Sequence, residues 1–401
     1  MTLSPPTLAQ IVLKPRKAAP FWGRHPWVLD SAIARVEGAP ADGDAADLVS
    51  ETGRWIARGV YNSRSRICMR LYSWDPEVAL DDTLWRNRIE GAIALRRSMG
   101  YDDPQGAARL IYSEADQLSG LIVDRYAGHL VVQPTSLAMA TRLDVILPLL
   151  IEIAQPASIS VKADLSIART EGIDVQQGLR FGDPPSDMLT IVEHGLRYVL
   201  PWGEGQKTGF YLDQRENRRE AARYMSGRRV LDVCCYTGGF SLNASSLGAA
   251  QDVLGIDASQ RAIDQATANA ALNGISNARF QVGDAFETLE QLRDSGERFG
   301  AVVLDPPRFA RKRTGIDEAL RAYHRLNRQA IEVLEPDGML VTCSCSGNVT
   351  RDDFFSMLFG VGQKTHREIQ LLDQRGAAPD HPVSVACSEN EYLKCFICRV
   401  R

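Results

Sequence analysis

The stretch at residues 230–241, which reads VLDVCCYTGGFS, decides the fold that this sequence encodes. An apolar run ends there in a turn that carries two adjacent glycines, Gly238 and Gly239. Such a turn lets the backbone approach a ligand closely and opens the N-terminus of a helix. A dinucleotide fingerprint needs glycines spaced G-x-G-x-x-G, and this turn lacks that spacing. The stretch therefore predicts a strand–turn–helix unit whose ligand has no pyrophosphate group.

The same alternation continues on both sides of this turn, from about residue 186 to the C-terminus. Predicted strands read RRVLDVCC, DVLGIDA, ARFQVGD, FGAVVLDPP and GMLVTCS, and helical stretches such as QRAIDQATANAALNG lie between them. Alternating strands and helices predict a doubly wound α/β fold with a parallel sheet. Ligands of such sheets bind at the carboxyl ends of the strands, so the residues that end each strand are the candidate site.

Two further segments precede this α/β domain, which we assign to residues 186–401. Residues 1–75 hold short β-like runs separated by turn residues, which favours a small β-barrel or sheet. Arginines alternate with aromatic residues in GVYNSRSRICMRLYSW, a mixture that suits RNA but also an ordinary solvated sheet face. Residues 76–185 predict a small α/β domain that ends near a polar loop, LRFGDPPSD, with no strand directly before its Asp-Pro-Pro.

Composition narrows the class of protein without naming a function. The chain has 401 residues, of which 44% are hydrophobic and 24% charged, and its formal net charge is −4. A nucleic-acid contact would therefore need a local basic face. No apolar run reaches the roughly 18 residues that span a bilayer, and prolines and polar residues stand where a secretory signal needs an apolar core. Eight cysteines at irregular spacings predict reduced thiols in a cytoplasm, with no bound metal.

Three aspartates mark the ends of successive strands. Asp232 precedes the glycine turn, Asp257 ends the next strand, and Asp284 ends the third. An acidic residue about 20 positions after a glycine turn is placed to accept both hydroxyls of a ribose. Asp284 has a plain alternative role as the N-cap of the helix that follows it. The set predicts a site for an adenosine-bearing ligand such as S-adenosylmethionine.

The fourth and fifth strands end in residues with reactive side chains. VVLDPP leaves Asp305 at a strand tip, because two prolines without backbone donors cannot continue a β-ladder. GMLVTCSCSG places Cys343 and Cys345 on either side of one serine, where a strand passes into a turn. These thiols could be buried spacers, a metal or disulfide pair, or a nucleophile. Cys395 and Cys398, a lone C-x-x-C in a strand-like run, are interpreted as packing residues, like Cys234 and Cys235.

Five motifs in this order resemble the RlmI-type ribosomal RNA (cytosine-5) methyltransferases: QKTGFYLDQRENR, LDVCCYTGGFS, GIDAS, LDPPRFARK and CSCSG. The resemblance covers nearly the whole chain, since GRHPWVLDSAI is similar to the start of a PUA domain and EADQLSGLIVDRY to the middle domain. It implies a PUA-like RNA-binding β-barrel at 1–75, the middle domain at 76–185 and a class I, Rossmann-like methyltransferase domain at 186–401. It also implies a homodimer and 23S ribosomal RNA as substrate.

The resemblance assigns roles to named residues. It implies that Cys345 is the nucleophile, that Asp305 hydrogen-bonds the base, and that Arg308 could contact phosphate. The residues that it implies for S-adenosylmethionine are Lys207, Thr208, Asp213 and Arg215 at the methionine end, Asp232, Tyr236 and Gly238 at the floor, Asp257 at the ribose and Asp284 at the adenine. Arg215 suits a carboxylate because its guanidinium donates two parallel hydrogen bonds.

The chemistry of cytosine explains why a thiol would stand at a strand tip. Carbon 5 is a poor nucleophile until a thiolate adds to carbon 6, and this covalent step divides one difficult reaction into two easier ones. Three alternatives remain: methylation of uridine carbon 5, which uses the same thiol, methylation of an exocyclic amine, and a non-catalytic RNA-binding protein of the same fold. Cys343 could line the site or act as a second thiol, and the group that removes the carbon 5 proton is not assigned.

Overall fold

The structure is a computed structural model that describes residues 8–202, 210–309 and 315–401. Lys207 and Thr208 lie outside the described residues. The described chain divides into two compact units. The first holds residues 8–189, 201–202 and 380–390, and the second holds residues 190–200, 210–309, 315–379 and 391–401. The three-domain division at residues 75 and 185 stays a prediction.

The first unit contains a six-stranded sheet built from the predicted N-terminal β-runs. Its order is β2-β6-β5-β4-β1-β3, with β1 and β4 parallel and the other neighbours antiparallel. Apolar residues that alternate along the strands, such as Ile11 and Leu13, point to one face of the sheet. They form a hydrophobic core that belongs to this sheet. The elements are β1 (Ala9–Leu13), α1 (Ala19–Trp22), β2 (Trp27–Leu29), β3 (Ile33–Glu37), β4 (Ala45–Val49), β5 (Trp55–Tyr61) and β6 (Ile67–Ser73).

A five-stranded sheet follows in the same unit, in the order β11-β10-β9-β8-β7. The mixture of helices and strands predicted for this segment is confirmed, with a helix at Asp82–Ser98 followed by an antiparallel three-stranded meander. The polar loop expected at LRFGDPPSD is wrong in its first half, because Leu179 to Gly182 belong to a strand that pairs antiparallel with β10. The elements are α2 (Asp82–Ser98), β7 (Ala107–Tyr112), β8 (Leu121–Tyr126), β9 (His129–Pro134), α3 (Leu137–Ala140), α4 (Leu143–Ala154), β10 (Ser158–Val161), α5 (Leu165–Glu171) and β11 (Gly178–Gly182).

The chain then forms a hairpin, β12 (Met188–Glu193) and β13 (Leu196–Pro201), and enters the seven-stranded sheet of the second unit. The sheet order is β16-β15-β14-β17-β18-β20-β19. The elements are α6 (Arg215–Ala222), β14 (Arg229–Val233), α7 (Gly239–Ser246), β15 (Asp252–Asp257), α8 (Gln260–Leu272), β16 (Ala278–Val282), α9 (Ala285–Asp294), β17 (Phe299–Leu304), α10 (Ile316–Glu332), β18 (Leu334–Ser344), α11 (Arg351–Thr365), β19 (Ile369–Arg375) and β20 (Lys394–Val400).

The doubly wound sheet predicted from the sequence is confirmed. The five strands from β16 to β18 are parallel, while β20 and β19 extend the sheet antiparallel. Every side chain of β17 is buried, as expected for a central strand covered on both faces. Strand order reverses at β14, so the carboxyl ends of β14, β15 and β17 meet at the switch point of the sheet. None of the helices in the described ranges combines the length and apolarity needed to cross a membrane.

Candidate active site

The glycine turn after β14 has an unusual backbone. Cys234, Tyr236 and Gly238 all have positive φ angles, of 63°, 49° and 85°. Only glycine adopts this conformation without steric cost, so the two non-glycine residues store strain that the surrounding structure must offset. A side chain at Gly238 would also come within 2.7 Å of Leu242 Cδ1. Strain of this kind concentrates at binding sites, as the sequence predicted for this turn.

Arg218 packs against the second glycine and was not foreseen from the sequence. A Cβ atom at Gly239 would lie 2.8 Å from Arg218 Cδ, so the glycine makes room for this buried side chain. The guanidinium donates two hydrogen bonds to Glu193, at 2.8 and 2.7 Å, and a third of 3.0 Å to the Tyr211 carbonyl. The hairpin of β12 and β13 is thus tied to the motif that precedes α6. Arg218 belongs to the QRENR stretch that the sequence singled out, but its partner Glu193 lies 25 residues earlier in the chain, so the pairing could not be read from the motif.

Asp232 lies beneath the turn. Its side chain is fully buried, and Oδ2 accepts hydrogen bonds from the Ser241 backbone N–H at 2.9 Å and hydroxyl at 2.6 Å. These bonds hold the start of α7. Burial raises the pKa of Asp232 to about 6. The other oxygen, Oδ1, has no hydrogen-bond partner among the described residues, and a buried acceptor in that state is expected to meet a donor from a ligand or water.

Asp257 is the last residue of β15, as predicted, whereas Asp284 lies two residues beyond the end of β16. Asp257 accepts backbone N–H bonds from Tyr236 at 3.0 Å and from Ser259 at 2.9 Å, so it joins the glycine turn to the start of α8. Asp284 caps α9 by accepting bonds from the backbone of residues 286 and 287 through Oδ1. The N-cap alternative for Asp284 is confirmed, and its contact with adenine stays a prediction. Each carboxylate still has lone pairs that a nucleoside could use.

The described part of the QKTGFYLDQRENR motif starts at Phe210. Tyr392 donates a short hydrogen bond to Asp213 Oδ2, whereas Oδ1 is buried and has no partner among the described residues. The Thr237 hydroxyl is likewise buried and has no hydrogen-bond partner among the described residues. Arg215 begins α6, with its Nε 3.7 Å from Glu216. Unpartnered buried acceptors at Asp213 and Asp232 suit the ammonium group of a methionine moiety. The residues present therefore fit S-adenosylmethionine.

Asp305 follows the last residue of β17, at the tip that the sequence predicted. Its backbone N–H donates to the Val233 carbonyl at 3.3 Å, and its Oδ1 accepts a hydrogen bond of 2.9 Å from Gln214 Nε2. Burial and, to a lesser extent, the negative charge of Asp213 raise the pKa of Asp305 to about 7. Near neutral pH this carboxyl group exists in both protonation states, which suits a group that gives and takes a proton.

Cys345 lies one residue beyond the end of β18. Its side chain is partly exposed, and Sγ is 3.9 Å from the Pro306 carbonyl, which directly follows Asp305. Hydrogen bonds fix the two peptide groups that follow the thiol: Arg308 Nε donates to the Cys345 carbonyl at 3.2 Å, and Lys394 Nζ donates to the Ser346 carbonyl at 2.7 Å. The structure thus places the predicted nucleophile and the carboxyl group that was predicted to hydrogen-bond the base at adjacent strand tips.

Lys394 was missed by sequence reasoning. It faces Ser344 in the register of β18 and β20, and its side chain is almost fully buried with Nζ also donating to the Tyr392 carbonyl at 2.8 Å. Burial lowers the pKa of Lys394 to about 8, although the neighbouring Cys345 acts in the opposite direction. The residue stands in EYLK near the C-terminus, and its contact with the thiol turn depends on strand pairing, which the local sequence does not reveal.

Tyr211 is a second residue that the sequence did not single out. Its side chain is 46% exposed, and its ring lies 5.3 Å from that of Tyr236 in an edge-on arrangement. Partial burial, then Tyr236, Asp305 and Cys345, raise the pKa of Tyr211 to about 12. The phenol is therefore neutral at physiological pH. An accessible aromatic ring beside the thiol and the carboxyl group is suited to stack on a base.

The remaining thiols of this unit are packing residues. Cys343 is fully buried opposite Cys395, and burial raises its pKa well above the ordinary value. Cys395 and Cys398 belong to different hydrophobic clusters, because residues three apart in a strand face opposite sides of the sheet. Their interpretation as packing residues is confirmed. Cys343 is a buried core residue, and its burial and raised pKa weigh against a role as a second reactive thiol.

One group in the first unit has ligand types that bind metals. Side-chain atoms of His25, Cys387 and Glu389 lie within 4.8 Å of one another. His25 Nδ1 accepts the Trp27 backbone N–H at 3.2 Å, so the ring proton sits on Nε2, which faces Glu389 at 3.4 Å. A metal at Nε2 would need that nitrogen deprotonated. The hydrogen bonds therefore favour a histidine–carboxylate contact over a metal site.

Comparisons with known proteins decide the family. Residues 171–382 match the S-adenosylmethionine-dependent methyltransferase family, and residues 11–74 match the PUA-like domain family. A protein of Erwinia tasmaniensis named ribosomal RNA large subunit methyltransferase I is 38% identical over 379 residues, which cover 94% of this chain and 96% of that protein. The chain belongs to the ribosomal RNA large subunit methyltransferase I family. Its cofactor is S-adenosylmethionine.

Other members of this family agree over almost the whole chain. Relatives of the same name from Klebsiella pneumoniae (strain 342) and Escherichia coli O157:H7 are 35% and 36% identical over 393 residues, covering 98% of this chain and 98% and 99% of theirs. The crystal structure of the methyltransferase SMU.776, complexed with SAH, superposes with a TM-score of 0.84 at 20% identity, covering 97% of this chain and 99% of that one. That likeness shows the fold. The predicted combination of a PUA-like domain with a class I methyltransferase domain is confirmed.

Proposed function

We propose that this methyltransferase acts on ribosomal RNA of the large subunit, 23S RNA in bacteria, and methylates carbon 5 of a cytosine. One observation carries the specific part of the proposal. The partly exposed thiol of Cys345 and the carboxyl group of Asp305 stand at adjacent strand tips, joined by a contact of 3.9 Å between Sγ and the Pro306 carbonyl. The RNA assignment rests on the names of relatives with 35 to 38% identity.

In the proposed reaction the Cys345 thiolate adds to carbon 6 of the cytosine ring. A carbon–sulfur bond forms, the carbon 5–carbon 6 double bond opens, and nitrogen 3 takes a proton from the protonated form of Asp305. The bound cofactor supplies an electrophilic methyl group for carbon 5. A base, such as a water molecule, then takes the carbon 5 proton, and the electron pair of that bond restores the carbon 5–carbon 6 double bond. The carbon–sulfur bond breaks, which restores the thiolate, and nitrogen 3 returns its proton to the Asp305 carboxylate.

The chain offers a consistent set of positions for the cofactor. Asp257 would accept the ribose hydroxyls, and Asp284 would lie at the adenine. Asp213 and Asp232, each with one unpartnered buried oxygen, would receive the methionine ammonium group. Arg215, Tyr236 and Gly238 complete the proposed set with Lys207 and Thr208, which lie outside the described residues.

The packing of Phe309 weighs against methylation of an exocyclic amine. That reaction would call for an aromatic side chain after the prolines to stack on the base. Phe309 instead lies 4.8 Å from the Tyr323 ring in an edge-on contact and packs against the hydrophobic core. Tyr211 is the more accessible ring at this edge of the sheet. Uridine carbon 5 remains the alternative substrate, because the thiol chemistry is the same for both pyrimidines.

The decisive experiment traps the covalent adduct. Ribosomal RNA transcribed with 5-fluorocytidine or 5-fluorouridine is incubated with the full-length protein and radiolabelled S-adenosylmethionine, and adducts are resolved on denaturing gels. Fluorine blocks the last step, so we expect a stable adduct with 5-fluorocytidine RNA that is absent in Cys345→Ala. Trapping with 5-fluorouridine alone would make uridine the substrate. Methyl transfer without trapping would contradict the thiol mechanism, and cofactor binding without transfer would support a non-catalytic role.

Three further expectations stay proposals with simple tests. Mapping 5-methylcytosine in 23S RNA from cells with and without the gene identifies the target nucleotide. Sedimentation equilibrium of the purified protein checks the homodimer that the family resemblance implies. Fractionation of cells checks the cytoplasmic location.

A further inference from the structure

A chain of hydrogen bonds runs from β19 to the carboxyl group of Asp305. Arg375 Nε donates to Asn217 Oδ1 at 3.0 Å, Asn217 Nδ2 donates to Gln214 Oε1 at 2.7 Å, and Gln214 Nε2 donates to Asp305 Oδ1 at 2.9 Å. Asn217 and Gln214 are 1% and 2% exposed, so water does not compete for these bonds. None of the roles proposed above involves Asn217 or Arg375.

The direction of this chain is fixed at its far end. An amide can normally turn over, because its oxygen and nitrogen are alike in size. Arg375 can only donate, so it requires the oxygen of Asn217. The second hydrogen bond of Asn217 Nδ2, 2.9 Å to the Gly376 carbonyl, ends on a group that can only accept. Two partners of opposite kind therefore hold the Asn217 amide in one orientation, and that orientation dictates the orientation of Gln214.

The orientation of Gln214 decides which oxygen of Asp305 can carry a proton. With its NH₂ group toward Oδ1, that oxygen must accept, and any proton on the carboxyl group resides on Oδ2. No described residue hydrogen-bonds Oδ2 through a side chain. A reversed Gln214 would present its oxygen instead, the proton would be held on Oδ1 between the two residues, and Oδ2 would become an acceptor only.

We propose that Asn217 is a positioning residue whose amide, held by Arg375 and the Gly376 carbonyl, aims Gln214 so that Asp305 Oδ2 is the proton-bearing oxygen that faces the target base. The inference rests on the proposed function for the identity of the base, since cytosine presents an acceptor at nitrogen 3 and needs a donor opposite it. The hydrogen-bond direction itself does not depend on that function.

The groups around Asp305 support this role. Asp213 and Asp232 favour its protonated form, whereas Arg218 and the Gln214 amide favour the ionised form. Of these four residues, Gln214 is the one that is neutral and can turn over. Reversal of its amide would change its effect on the pKa of Asp305 from lowering to raising. A change at Asn217 should therefore act on Asp305 through Gln214, with no contact of its own.

A double-mutant cycle tests the proposal without requiring activity. Aspartate carboxyl carbons are isotopically labelled, and the Asp305 signal is assigned by its absence in Asp305→Asn and titrated by NMR. Asn217→Asp removes the donor that faces Gln214, so the glutamine should reverse and the Asp305 titration midpoint should rise by on the order of one pH unit. The added charge also raises the midpoint, and the same substitution in a Gln214→Met background measures that part alone.

A larger midpoint rise in the Gln214 background than in the Gln214→Met background supports the proposal, and equal rises overturn it. Asn217→Leu, which adds no charge, gives a second cycle with a smaller expected difference. Thermal unfolding and cofactor binding show whether Asn217→Asp is folded. If it is not, the Asn217→Leu cycle still provides the test. In the active enzyme, Asn217→Asp should also lower kcat about tenfold with an unchanged KM for the cofactor. If the midpoint rises differ as expected but the protein never forms 5-methylcytosine, the positioning role of Asn217 stands and only the proposed function is rejected.

Discussion

Two thiols two residues apart, one inside β18 and one just beyond its end, have opposite environments. Cys343 lies inside the ladder of β18, fully buried opposite Cys395, where its pKa is raised well above the ordinary value. Cys345 lies beyond the last ladder pair, partly exposed, in a turn whose carbonyl groups are held by Arg308 and Lys394. Side chains inside the strand are packed in the core, whereas a side chain just beyond the strand end is accessible to a ligand. We therefore expect the reactivity of these thiols to depend on their position relative to the end of the ladder, since the residue type is the same.

The largest effect should come from removing the thiol at the tip. Cys345→Ala should lower turnover at least about 1,000-fold, because this partly exposed thiol is the proposed nucleophile at the strand tip next to Asp305, and affinity for S-adenosylmethionine should stay near normal. Single-turnover methyl transfer and calorimetric cofactor binding measure the two quantities. Equal loss of both in Cys345→Ala would mean that this thiol is structural, like Cys343.

Asp305, the carboxyl group at the neighbouring tip, should have the next largest effect. Asp305→Asn should lower kcat by about 100-fold or more, since general acid–base groups contribute in that range. It should also stabilise the fold above pH 7. The folded-state pKa of about 7 exceeds the ordinary value near 4, so the folded protein binds more protons between these pH values and loses stability as pH rises through them.

Thermal unfolding of wild type and Asp305→Asn at pH 5 and pH 8 checks this sign. We expect the variant to gain on the order of 1 kcal/mol at pH 8 relative to pH 5. A variant that is less stable at pH 8 would show that Asp305 has a structural role, as a side chain inside the ladder does.

Lys394 pairs with the last residue of β18 and hydrogen-bonds the turn that follows Cys345, so its removal should have an intermediate effect on turnover. Lys394→Met removes the donor to the Ser346 and Tyr392 carbonyls and a positive charge beside Cys345, so kcat should fall about tenfold. Alkylation of Cys345 by iodoacetamide at pH 7 should slow in the variant, because less thiolate is present. Arg399→Met, which removes a cation at the other end of β20 that pairs with Asp337, is the matched control and should leave both rates unchanged.

The smallest effect on activity should come from the thiol inside the ladder. Cys343→Ala should change turnover less than about twofold and lower the free energy of unfolding by about 1 to 2 kcal/mol, the cost of a small cavity. Mass spectrometry of the native protein after alkylation should find Cys345 modified and Cys343 unmodified. Rapid modification of Cys343 would end the distinction between ladder and tip.

Sequence reasoning worked best where local patterns carry the information. The strands that carry or precede Asp232, Asp257 and Asp305 are short apolar runs, and the sequence placed each acidic residue within one position of the strand end. The reasoning failed at Leu179 to Gly182, which read as a polar loop and pair as a strand with β10. Their side chains are mostly exposed, so no apolar period marked them.

Contacts between distant parts of the chain could not be predicted in this way. The hydrogen-bond chain that ends at Asp305 joins residues 158 and 91 positions apart, and Glu193 meets Arg218 across 25 positions. Each partner is an ordinary polar residue in its own segment. Only the pairing of β19 with β20 and the packing of α6 bring them together.

The sequence by itself determined the sheet, the strand-end aspartates and the two thiols, because burial periodicity and strand breakers act over a few residues. The tertiary structure decided which thiol is accessible, because the last ladder pair of β18, between Ser344 and Lys394, is set by a strand 50 residues later. It also decided the protonation behaviour of Asp305. A pKa depends on burial and on charges a few ångströms away, and those distances exist only in the folded chain.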